Sequence, residues 1–164
     1  MGTSSSELKK ICILPIEDVK IVHKPWGWEK WIADGTPHFP YVLKEMFIKS
    51  SYKTSLQFHR KKQETSYIQK GRGILYYSDD KIDADRYAQG GYSQQELEQF
   101  IKKMKKRELA AGTVFHVLPG FLHRMEAVED LLLIEASTVE LDDIYRLQDD
   151  FGRGHGRISK EHSG

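Results

Sequence analysis

Apolar and polar residues alternate along most of this chain in short runs, separated by glycine, proline and acidic turns. That period of two is the signature of half-buried strands. The runs at 41–51 (YVLKEMFIKSS), 112–119 (GTVFHVLP) and 131–138 (LLLIEAST) are rich in β-branched and aromatic residues and read as strands. Between 20 and 32, Trp26, Trp28 and Trp31 surround a Pro25–Gly27 turn, a spacing that suggests paired strands. Asp34-Gly35 signals a hairpin turn, and Pro37 and Pro40 continue a loop. A further strand leaves the Gly-Arg-Gly turn at 71–73. After Ser6, ELKKICIL forms a short segment that ends at Pro15. Asp79, Asp80, Asp83 and Asp85 lack the central glycine and terminal glutamate of a calcium loop, so they read as a solvated loop closed by Gly90-Gly91.

One stretch breaks the period. From Ser93 to Leu109 the apolar residues Leu97, Phe100, Ile101 and Met104 fall at helical spacing, and Ser93 with Glu96 makes a capping box. The opposite face, with the run KKMKKR, reads as solvated. No repeat is visible. Many short strands with one helical excursion predict an all-β barrel or sandwich. Its expected bounds are a tail and lead-in at 1–20, a barrel at 21–151 and a loose Gly-rich tail at 152–164.

Composition narrows the function classes. At 164 residues the chain fits one domain, and 25 basic residues against 24 acidic ones leave nothing to attract nucleic acid or a membrane surface. Cys12 is the single cysteine, so neither an internal disulfide nor a thiolate metal cluster can form; within ICIL it reads as a small apolar filler. No run is long enough to span a bilayer and the first residues carry no apolar leader, so the expectation is a cytoplasmic protein.

Candidate chemistry lies in two places. Gln57 and His59, two apart in a strand, project to one face, and Glu64 follows after four residues. His123 follows the Pro119-Gly120 turn. Together they form an oxygen-and-nitrogen ligand set for one divalent cation, whereas a lone strand histidine is ordinarily structural. His23, His38 and His116 read as ordinary, and His155 and His162 as tail residues. The three tryptophans read as core and rim packing.

The spacing of these residues resembles the two motifs of the cupin superfamily, with Gln57 in the place of the usual first histidine. Lys24-Pro25-Trp26-Gly27 upstream, and Asp142-Asp143-Ile144 with Arg146 through Gly152-Arg153 downstream, are similar to the cupin type II mannose-6-phosphate isomerases. The likeness runs from about Val22 to Arg153. It implies a double-stranded β-helix (jelly-roll) barrel carrying one inserted helix near 93–109. It further implies a divalent metal (Zn, Fe, Mn or Ni), a sugar phosphate or nucleotide sugar as partner, and a homodimer. The chain departs from that family where Thr65-Ser66 replace a His-Trp pair and where Lys24 and Lys62 replace arginines. Lysine keeps the charge without the planar fork that grips phosphate.

The chemistry so implied is isomerisation or epimerisation, a proton moving between adjacent carbons through an enediol. Gln57, His59, Glu64 and His123 would hold the metal. Lys44, Lys62 and Arg146 are the candidates for substrate anion contacts, and Glu45 and Asp143 for the base. The same ligand types also suit a non-haem iron cupin dioxygenase, and Thr65-Ser66 would suit an inactive sugar-binding cupin.

Overall fold

A computed structural model of the chain describes residues 11–148 and 156–158. The start of the lead-in segment, Gly152-Arg153, His155 and His162 lie outside those residues. The strands are β1 (Lys20–Lys24), β2 (Gly27–Asp34), β3 (Val42–Ile48), β4 (Leu56–Phe58), β5 (Glu64–Lys70), β6 (Arg72–Lys81), β7 (Lys105–Ala110), β8 (Val114–Val117), β9 (Phe121–Ala127), β10 (Leu131–Ser137), β11 (Ile144–Gln148) and β12 (Gly156–Ile158). Two helices, α1 (Ala84–Ala88) and α2 (Gln94–Lys102), fall between β6 and β7. Neither is long and apolar enough to cross a membrane.

The strands form two antiparallel sheets of six, in the orders β1-β2-β3-β10-β5-β8 and β12-β11-β4-β9-β6-β7. Alternation decides which side of each strand is dry. In β3 the buried residues are Val42, Lys44, Met46 and Ile48; in β10 they are Leu131, Leu133, Glu135 and Ser137. Inward residues of the two sheets meet in one core, where Met46, Ile48, Ile68, Leu131 and Leu133 oppose Leu75, Leu109, Met125 and Ala127. Trp26 joins this core, whereas Trp28 stacks on Phe47 with ring centroids 5.6 Å apart on the outer face.

A second apolar cluster covers the outer face of the second sheet. Leu56, Phe58, Leu122, Tyr145 and Leu147 pack beneath Tyr87 of α1 and Leu97, Phe100, Ile101 and Met104 of the α2 segment. Phe58 lies between Tyr145, stacked at 5.0 Å, and Tyr87, edge-on at 5.2 Å.

Three expectations need correction here. The predicted helix over 93–109 ends at Lys102, and Lys105–Ala110 is a strand hydrogen-bonded along β6. The basic run is thus split between a helix end and an exposed edge strand. The acidic stretch is no open loop: Asp83 caps α1, its carboxylate accepting from the N–H groups of Asp85 and Arg86. Cys12 fills no core, because residues 11–15 lie exposed off the barrel.

Gly120 ties the two candidate segments together. Its N–H donates to the carbonyl of His59 at 2.7 Å. Its φ is +89°, and a Cβ there would stand 2.8 Å from the Ile82 carbonyl oxygen. Only glycine takes that turn without strain.

Candidate metal centre

β4 and the turn after it bring Gln57 and His59 to the interior, β5 brings Glu64, and β9 brings His123. Gln57 is the register partner of His123 on one side and of Arg146 on the other. His59, Glu64 and His123 are buried, and one ligand atom from each lies within 4.8 Å of the other two. His59 Nε2 is 3.2 Å from Glu64 Oε1, and His123 Nε2 is 3.6 Å from Glu64 Oε2.

The imidazoles are held from behind. His59 Nδ1 donates to the Asp143 carbonyl oxygen at 2.6 Å, and His123 Nδ1 donates to that of Phe121 at 3.0 Å. A carbonyl can only accept, so each ring carries a proton on Nδ1 and turns its Nε2 toward Glu64. Both Nε2 atoms are buried without a hydrogen-bond partner. Burial first, then the neighbouring His59, pushes His123 down to about 4, so it is neutral near pH 7. Two imidazoles and a carboxylate whose ligand atoms converge in a buried pocket fit a divalent cation. Gln57 faces the same cavity, and its Oε1 accepts from Ser55 Oγ at 2.7 Å.

A buried ionic network adjoins these ligands. Lys62 Nζ lies 2.5 Å from Glu64 Oε1 and 3.7 Å from Glu135 Oε1. Lys44 Nζ donates to Glu29 Oε2 at 3.0 Å, which also accepts from Trp31 Nε1 at 3.0 Å. Burial alone would raise Glu64, but the Lys62 ammonium foremost, and then His59, hold it well below the usual carboxylate range. Glu135 moves the other way: burial, reinforced by the Glu64 charge, raises it. Glu29 and Glu135 escaped the reading of the sequence, although each shares its parity with apolar inward neighbours, Trp31 and Ala33 for Glu29, Leu131 and Leu133 for Glu135.

The predicted base and anion-binding residues fare differently. Glu45 is one residue out of phase with Lys44, so it projects from the outer face of β3, 3.7 Å from Lys30. It cannot reach the ligands. Asp143 is no base. Its carboxylate accepts from the N–H groups of Arg60, Lys61 and Lys62 at 3.0, 2.6 and 2.9 Å. Burial pulls it upward, but those three donors prevail and leave it lowered. Its part is to shape the turn and, through its carbonyl, to orient His59. Arg146 is 1% exposed, and Lys44 lines the cavity with its charge matched by Glu29. Lys62 does line the cavity, but with its charge matched by Glu64. Thr65 points outward and bonds His116 Nδ1 at 2.8 Å, while Ser66 lines the interior.

The space beside the ligands is divided. The cavity bounded by Gln57, Lys62, Glu64, His123 and Glu135 holds about 50 Å³. A second hollow of about 510 Å³ meets it at His123, lined by Tyr77, Arg107, Phe115 and Phe121 among others.

No protein-family model matches this chain, and no curated protein matches it. Solved structures do. CapF, the capsular polysaccharide assembling protein of Staphylococcus aureus, superposes with a TM-score of 0.58 at 14% identity, over 80% of this chain and 34% of its own. An oxalate decarboxylase of Lactobacillus farciminis, solved as a formate complex, gives 0.57 at 16% identity, over 80% and 34%. KdgF from Halomonas sp. gives 0.55 at 16% identity, over 77% and 94%. The chain thus spans about a third of the length of CapF and of the decarboxylase. Its fold is the cupin β-barrel that the motifs implied.

Proposed function

We propose that this cupin barrel is a metal-dependent enzyme that isomerises or epimerises a phosphorylated or nucleotide-linked sugar, as the mannose-6-phosphate isomerase type does. The observation that carries the proposal is the pair of buried imidazoles whose Nε2 atoms converge on Glu64. His59, His123 and Glu64 would hold a divalent cation, with the Gln57 amide oxygen able to serve as a fourth donor. Such an ion would supply a Lewis acid for carbonyl and hydroxyl oxygens. The carbonyls of Asp143 and Phe121 keep both rings in the ligating tautomer. That CapF is a capsular polysaccharide assembling protein supports a sugar-related substrate.

The inner cavity of about 50 Å³ admits only a few water-sized groups, so it takes the reacting carbons alone. The body of the substrate lies in the larger hollow, whose about 510 Å³ is in the range of small-molecule sites, with Arg107 available to an anionic group. Glu135, raised by burial, takes the proton from one carbon and returns it to the next.

The test is proton exchange. Protein loaded separately with zinc, manganese, iron and nickel is incubated with sugar phosphates and nucleotide sugars in deuterated water and followed by NMR. The expected result is deuterium entering beside the carbonyl carbon, reduced at least about 100-fold in Glu135→Gln with metal content unchanged. No exchange with any metal overturns the reading. A second reading is favoured by the two-histidine, one-carboxylate set together with the aromatic lining of the hollow: an iron cupin that consumes oxygen. Oxygen uptake by the iron-loaded protein, without isomerisation, would select it.

A further inference from the structure

Two spaces adjoin the candidate ligands, and His123 and Phe115 border both of them. The larger one lies between the sheets at the end where their edge strands β7 and β8 run. A group that passes from it toward Glu64 therefore moves between the His123 imidazole and the Phe115 ring. One wall of that passage is held in place, because the Phe121 carbonyl accepts from His123 Nδ1 behind the ring. The other wall is a phenyl group on an edge strand.

Register explains why a ring can stand there. Alternation along β8 turns Phe115 and Val117 inward and leaves Val114 and His116 exposed. β8 pairs along one side with β5, where the register partner of Phe115 is Ser66. Ser66 is buried and lines the inner cavity, and its small side chain does not crowd the ring. Among the described residues no strand pairs with the other side of β8. The ring packs instead against the core cluster that holds Ile68, Leu75 and Leu109.

We infer that Phe115 is a specificity-determining residue of this site. Its ring sets the breadth of the group that reaches the ligands from the hollow, passing a narrow open-chain end and holding back a ring. The inference rests on the proposed reading of His59, Glu64 and His123 as metal ligands. Size supports it. The inner cavity holds about 50 Å³, a few times the roughly 10–15 Å³ that one water needs. A planar group of about four heavy atoms fits such a space, and a bulkier one would force the wall aside. An apolar wall discriminates in this way, by rejecting bulk rather than by recognising a polar group.

Chelators bound to the cobalt-loaded, full-length protein test this without any substrate. Acetohydroxamate and benzohydroxamate offer the same two oxygens and differ in a methyl against a phenyl group. Visible absorption of the cobalt reports each dissociation constant, and circular dichroism checks the fold of each variant. Acetohydroxamate should bind at least about 10-fold more tightly than benzohydroxamate. Phe115→Ala should bring the two within about 3-fold of one another by tightening benzohydroxamate. Phe115→Leu, which keeps an apolar contact with the core, should fall between. A wild-type protein that binds both equally overturns the filter, and so does a preference that survives unchanged in the folded variants. Either result leaves the metal site standing. A protein that takes up no cobalt overturns the metal reading, and the filter with it.

Discussion

Single side chains do the decisive work around the ligands, and Asp143 shows how. Replacing it with asparagine removes the charge from three hydrogen bonds to the 60–62 turn, and we expect a loss of about 2 kcal/mol in urea unfolding at pH 7. Its carboxyl is lowered in the folded protein, so the stability it gives is complete above the unfolded-state value of about 3.9 and is lost as the pH falls below it. Asp143→Asn should therefore flatten the acid limb of stability against pH. An unchanged acid limb would assign that carboxylate no structural part. That Gln57, His59, Glu64 and His123 would gather in one interior was legible in the sequence, partly from strand parity and chiefly from the spacing shared with the cupin motifs. The neighbouring carboxylates were not. Glu45 and Glu135 look alike in a sequence, and which of them faces inward depends on the phase of a strand that begins after an irregular loop.

Between β6 and β7 the same limit appears at the level of elements. Ser93, Glu96 and the four apolar positions announced the helix, and those positions do seal the second cluster. Its end was hidden, because Lys105–Ala110 has ordinary helix formers and is drawn into a strand by pairing with β6. Helix α1 went unseen because Asp83 served as a cap rather than as one more solvated acid. The cluster and the cap differ in weight. Phe58→Ala, which empties a side chain of 0% exposure from between two tyrosine rings, should cost about 3–5 kcal/mol in chemical denaturation. Ser93→Ala should cost about 1 kcal/mol. Equal costs would mean that the helix stands on its own propensity rather than on its packing.

For the whole molecule the buried ionic network would set the relation between folding and the proposed metal. Lys62 balances Glu64 and Glu135 inside the barrel. Lys62→Met should lower the stability of the metal-free protein by about 3–5 kcal/mol, because two carboxylates are left buried without their cation. It should at the same time tighten metal binding, since the incoming ion no longer competes with an ammonium for Glu64. Calorimetric titration with zinc alongside thermal melts would show the two changes in opposite directions, and changes in the same direction would exclude the competition.

Such an arrangement has a bearing on how the polypeptide matures. If the interior takes a metal as proposed, a lysine already beside Glu64 would let newly made chains close their barrel before any ion arrives. Loading would then be a late event that follows folding.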